Sequence, residues 1–259
     1  MDTLLRLMLA EGTTLTLAAV GALCLWAARG RGFDGAAVVS RQVAVKRLAL
    51  AGGITALALH PGLDALARHA LWLHAAQGAV LHHLIPRMYW QWAIPGMATG
   101  HVRRASPFAA VAFGATAAAG MLPGLHGELM RDAGAYALMN WSMLLTGLIW
   151  CRGSRRIPSG TASDSGVADG LLALLPSVVI GAWLLVSSPI YFTDMALCRS
   201  AEDAGIAAWQ EAIQSSFSVQ ADQHLAGLIL LLAAAGQLAA HLYSRVSWRH
   251  WSIVKGAIP

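Results

Sequence analysis

The chain is short of charge. Only 12% of its 259 residues are Asp, Glu, Lys or Arg, about half the roughly 25% usual in a soluble domain. With 57% apolar residues and a mean hydropathy of +0.56, lipid is the expected solvent. Cysteine is scarce as well. Cys24, Cys151 and Cys198 share no spacing, which argues against an intrachain disulfide framework. Soluble-enzyme signatures are missing: there is no Walker A loop, dinucleotide fingerprint, HExxH or CxxC. Acids are missing from the middle of the apolar stretches, which argues against a proton-coupled transporter with a charged path.

What is present is a series of seven apolar stretches, at 8–28, 43–61, 66–86, 106–124, 132–151, 168–190 and 222–244. A helix needs about 20 such residues to cross the hydrocarbon core. The fourth stretch is short and rich in Ala and Gly, small residues that let helices pack closely in lipid. The first has only Asp2 and Arg6 before it and ends in Ala27-Ala28-Arg29-Gly30-Arg31. That is a stop-transfer flank, so a retained helix is expected and not a cleaved signal. The expected fold is all-α: a polytopic membrane helix bundle with about seven transmembrane helices, forming one domain over residues 1–259. No internal repeat stands out.

The charges are lopsided. Arg29, Arg31, Arg41, Lys46, Arg47, Arg87, Arg103, Arg104, Arg152, Arg155, Arg156, Arg245, Arg249 and Lys255 fall on one side, 14 of the 18 basic residues. Arg6, Arg68, Arg131 and Arg199 fall on the other, with 10 of the 13 acids. Basic loops stay cytoplasmic, so the N-terminus is expected outside and the C-terminus inside. The net charge of +5 thus describes topology and not nucleic-acid binding. The segment Gly153–Gly166 reads as a cytoplasmic loop. The outer loop at 191–221 carries Ile206, Trp209, Ile213 and Phe217 at helical spacing. It reads as a short amphipathic helix on the membrane surface or as a cap over the bundle. Trp90, Trp92, Trp248 and Trp251 read as inner-interface anchors.

The third stretch is unusual in holding His69, His74, Gln77, His82 and His83. Polar side chains at membrane depth are costly and mark functional sites. His74 and His82 are eight residues apart on nearly one face, about 12 Å along the axis, too far to share one ion. The fifth stretch carries Met139, Asn140 and Met143. The two methionines lie on one face at i, i+4, either as apolar filler or as soft thioether ligands that favour Cu(I). Cys198 is either another soft ligand or a small apolar residue. The seventh stretch opens with Asp222-Gln223-His224. Asp222 is expected to cap that helix, and His224 stands at the outer entrance of the bundle.

These residues resemble a known family. The run His60-Pro61-Gly62-Leu63-Asp64-Ala65-Leu66-Ala67 through His74 to Ile94-Pro95-Gly96 resembles the third-helix region of the CtaG-type cytochrome c oxidase assembly proteins. Tyr136–Trp150, ending Gly147-Leu148-Ile149-Trp150, is similar to a later helix of that family. So are Pro189-Ile190-Tyr191 and Asp222-Gln223-His224-Leu225-Ala226-Gly227-Leu228-Ile229 to its later signatures. The likeness extends from about residue 40 to 244. His74 matches the family's first span-three His, but Ala75 replaces its Met, Gly78 its second His, and Asn140 a His expected in span five.

The resemblance implies a non-catalytic assembly factor serving a haem–copper oxidase subunit or another copper-dependent membrane enzyme. In that reading His74, Met139, Met143 and His224 form or flank a Cu(I) site on the periplasmic side, and Asn140 and Asp222 orient the ligands. Two alternatives stay open. One is a membrane b-type haem or quinone redox protein, for which a second mid-membrane His is hard to find. The other is a small-solute transporter, which calls for broken helices or a buried charge.

Overall fold

The computed structural model describes residues 18, 20–21, 38–93, 107–153, 165–188 and 217–254. Among these there are helices and turns and no strand. Most of the first apolar stretch, Cys24, Ile94-Pro95-Gly96, Pro189-Ile190-Tyr191, Cys198 and nearly all of the loop at 191–221 lie outside the described residues.

Two helices are broken by proline in the same way. Helix α1, Val38–Ala58, stops before His60, and Pro61 opens α2, Pro61–Ala67. Proline suits a first helical turn because it lacks the N–H that would be orphaned there. His60 accepts the Gly62 N–H on Nδ1 at 3.0 Å. The apolar part of α1 and α2 are bent by 52°. Further along, α5, Pro107–Met121, stops at Leu122, and Pro123 opens α6, Pro123–Arg131, with a bend of 73°. The apolar stretches at 43–61 and 106–124 end at these breaks, and the sequence pattern did not show α2 or α6 as separate helices.

The histidine-rich helix starts as α3, Leu71–Ala79, and passes through a π-helical turn at Val80–Leu84. It continues as α4, Ile85–Arg87, and a second π segment at Met88–Ala93. Pro86 cannot donate, and its ring crowds the carbonyl four residues back, that of His82. Wider turns on both sides absorb the defect. Arg87 therefore sits within the helix and not in a loop, and its guanidinium donates to the Gln237 carbonyl at 2.7 Å.

The remaining helices are α7, Ala133–Gly153; α8, Ser165–Val186; and α9, Val219–Val254. Gly147 lets α7 touch the π-turn: a β-carbon there would lie 2.5 Å from the His82 carbonyl oxygen and 2.6 Å from Pro86 Cγ. Helices α8 and α9 cross at Gly181 and Gly227, where added β-carbons would lie 2.9 and 2.7 Å from each other's backbone oxygens. Such small-residue crossings are the usual close contact between helices in lipid.

The distribution of side chains is that of a protein dissolved in lipid. Leu57, Phe108, Leu138, Ile149, Leu171 and Leu232 are exposed, while Thr55, His74, Gln77, His82, His126 and Asn140 are buried. Polar groups inside and large apolar groups outside are expected when the solvent is hydrocarbon. Val219–Ala240 is long and apolar enough to span a membrane, and the two bent pairs bring the number to three. Gly170–Val186 is a shorter apolar helix. The count of seven and the orientation rest on the sequence pattern alone.

Candidate metal centre

The site is built where the two bends meet the helix ends. His74 lies one turn into α3, and its position is set from a distance. Ala70, which precedes that helix, supplies no side-chain cap. Asp222 of α9 does so instead, accepting the N–H of Leu71 at 3.0 Å and of Trp72 at 2.8 Å. This differs from the expectation that Asp222 caps its own helix. Ser218 does that, accepting the Ala221 N–H at 3.2 Å. A carboxylate on the amide-rich start of α3 also faces the positive end of the helix dipole.

From His74 a chain of buried polar groups runs to Asp64. His74 Nδ1 lies 2.9 Å from Tyr136 Oη. The tyrosine hydroxyl donates to Gln77 Oε1 at 2.7 Å. Gln77 Nε2 donates to the Ala58 carbonyl at 2.7 Å and to Asp64 Oδ1. Asn140 Nδ2 donates to the same Asp64 oxygen at 3.0 Å. The amide of Gln77 can point only this way, because its nitrogen faces two acceptors.

At its other end the imidazole meets a carbonyl. His74 Nε2 is 3.2 Å from Gly120 O, at the end of α5, and His126 Nδ1 of α6 is 2.9 Å from the same oxygen. The rings of His74 and His126 lie 5.2 Å apart, edge to face. With neutral His74 the chain from Gln77 Oε1 to Gly120 O has three contacts and only two protons, one from Tyr136 and one from the imidazole. One of the three contacts therefore carries no proton, and the His74 tautomer decides which one; Gly120 O has two lone pairs and can accept from both imidazoles. His126, donating from Nδ1, carries its lone pair on Nε2.

The thioethers converge on the same point. A β-carbon on Gly120 would lie 2.9 Å from Met143 Cε, 3.1 Å from Met139 Sδ and 3.5 Å from His74 Nε2. Met143 Sδ reaches the opposite side, 3.4 Å from a β-carbon placed on Gly78. Both methionines and Tyr136 are buried together with Met130 and Ala67.

Of the residues expected from sequence, the structure brings together His74, Met139 and Met143, with Asn140 three hydrogen bonds from Tyr136 through Asp64 and Gln77. His224 is half-buried, and none of the described hydrogen bonds or ring contacts joins it to this group. The buried stripe of α9 runs Gln223, Ala226, Gly227, Leu230, Ala234, and His224 lies beside it. His126 takes the place expected for it. The sequence carries a signal for this: Pro123-Gly124-Leu125-His126 repeats the frame Pro61-Gly62-Leu63-Asp64. Each proline starts a short bent helix, and the fourth residue of each turns into the site. Among the described residues no group of three or more His, Cys, Asp or Glu side chains is placed to hold a metal ion. The candidate centre thus depends on its two thioethers.

The model of the cytochrome c oxidase caa3 assembly factor family (Caa3_CtaG) matches residues 19–252, nearly the whole chain. No curated protein and no solved structure matches it.

Proposed function

We propose that this chain, which belongs to the cytochrome c oxidase caa3 assembly factor family, handles Cu(I) for the oxidase it helps to assemble. The ligands are His74, His126, Met139 and Met143. The observation that carries the reading is the convergence at Gly120 of His74 Nε2, Met139 and Met143, with a second imidazole, His126, beside them. His74 is held in place through Tyr136 and Gln77. Soft, neutral donors suit a soft monovalent ion. Asp64, Asn140 and Asp222 do not ligate but hold the ligands in position, as partners behind a metal's own ligands do.

In this reading the protein is a multi-pass protein of a bacterial inner membrane, with about seven membrane-spanning segments, the N-terminus outside and the metal centre on the periplasmic side. It acts by binding and release and not by catalysis. The cavity beside His74 and Met143 holds about 20 Å³, room for one water and not for a porphyrin, which supports copper over haem. The two broken helices also fit a small-solute transporter. Copper uptake into sealed vesicles separates that reading from delivery at one face.

The test is anaerobic loading of the detergent-purified protein with Cu(I). Bound copper that is lost in a His74→Ala, Met143→Ala variant, with no Soret band, supports the proposal. Copper content that the variant leaves unchanged overturns this site, and a Soret band moves the redox reading to first place.

A further inference from the structure

A cavity begins beside His74 and Met143, on the α3 side of the proposed centre. It extends along α3 past Ala75, Gly78 and Ala79 to His82, His83 and Ser177. Those three are buried at 1%, 7% and 1% exposure. Burying polar groups this fully in a membrane bundle is costly unless they find partners. Yet His83 Nδ1 and Ser177 Oγ have none. The two imidazoles lie 5.1 Å apart, centre to centre, and both pack on Phe113.

The protons can be assigned here. Thr146 Oγ1 donates its single proton to the Ser142 carbonyl at 2.7 Å. Its 3.3 Å contact with His82 Nε2 therefore takes a proton from the imidazole. That leaves the His82 lone pair on Nδ1. The π-turn at Val80–Leu84 changes the angular spacing along the helix and brings the adjacent rings close. Such turns recur at functional sites.

We infer that His82 and His83 form a second Cu(I) station, deeper in the bundle and joined by this cavity to the first, with Met143 in the wall they share. The inference rests on the copper reading of the outer site. The ring centres are 5.1 Å apart and the rings edge to face; at metal–nitrogen distances of about 2 Å this spacing lets one ion reach a nitrogen of each ring once the rings turn toward it. No carboxylate lines the cavity, so a divalent ion would bury an uncompensated double charge. Neutral nitrogens and a monovalent ion match. No redox change is needed: the ion stays Cu(I) and exchanges its bonds to the outer imidazoles and thioethers for bonds to the His82 and His83 nitrogens.

The experiment uses the full chain in detergent, loaded anaerobically with Cu(I), with copper counted per protein and its ligand shell read by X-ray absorption. The wild type is expected to hold two coppers with a mixed nitrogen and sulfur shell. His82→Gln/His83→Gln should hold one, with sulfur in its shell. His74→Ala/Met139→Leu/Met143→Leu should hold one with nitrogen only. The single variant His83→Gln, the mildest change, should already release the inner ion. Wild-type protein with a single sulfur-containing copper that His83→Gln does not alter would overturn the second station and leave the first. A single nitrogen-only copper, lost in His82→Gln/His83→Gln and kept in the triple variant, would overturn the outer site instead. No copper in the wild type overturns both. The wild-type shell decides between these even if a variant fails to fold.

Discussion

Asp222 closes the helix that carries His74: its carboxylate accepts the amide of Trp72 at 2.8 Å, from a residue 150 positions away in the chain. The start of α9 thereby sets the height and tilt of the ligand helix. Replacing an acidic cap by Ala usually costs about 1 kcal/mol. Asp222→Ala should lower the melting temperature in detergent and weaken Cu(I) binding, while Asp222→Asn, which keeps one acceptor oxygen, recovers part of both. Unchanged copper affinity in Asp222→Ala would show that the cap acts on stability alone.

Tyr136→Phe removes the group that links His74 to Gln77. Two buried polar atoms then lose their partner, which costs roughly 1–3 kcal/mol. The imidazole also loses the contact that holds its Nδ1 side in place. Removing a group that orients a metal ligand typically weakens binding by about 10–100-fold. Competition with a chromophoric Cu(I) chelator measures it. An affinity equal to wild type would mean that the hydrogen-bond chain does not orient His74.

Two glycines separate the site from the scaffold. At Gly120 an added methyl meets the flexible ends of Met143 and Met139, at 2.9 and 3.1 Å. Gly120→Ala should fold and lose copper affinity, because the thioethers must swing away. At Gly147 the added methyl meets the His82 backbone oxygen at 2.5 Å, which cannot swing. Gly147→Ala should melt lower, by the 1–3 kcal/mol or so typical of overpacking. Thermal unfolding of the two variants side by side tests this, and the reverse order of stability would contradict it.

The orientation has its own test. In a cysteine-free background, Asp203→Cys should react with a membrane-impermeant thiol reagent in intact spheroplasts. Ser159→Cys should react only after permeabilisation. The opposite pattern would invert the topology and place the metal centre on the cytoplasmic side.

Much of the site was legible before the structure. His74 stood out because an imidazole is expensive in an apolar helix, and Met139 with Met143 because their spacing puts them on one face. What periodicity could not supply was azimuth relative to neighbours. His224 sits at the right depth, but the packed face of α9 is set by Gln223, Ala226, Gly227 and Leu230, one step round the helix. His126 was hidden for a different reason. It lies on α6, a short helix that a span-length window blends into its surroundings, and only the repeated Pro-Gly-Leu frame betrays it. The bends themselves follow from Pro61 and Pro123, residues visible in the sequence whose angles only packing decides.

The broken helix at Gly120 bears on how a bilayer tolerates such a bend. A carbonyl freed by a helix break finds no water in the bilayer and costs several kcal/mol until something donates to it. Gly120 O is met by His126, which follows it by six residues, and approached by His74, made 46 residues earlier. His74 precedes Gly120 in the chain, and His126, the nearer donor, follows it on the far side of the same bend. Residues 107–131 therefore carry within one hinged segment both the carbonyl that the break frees and a side chain that satisfies it.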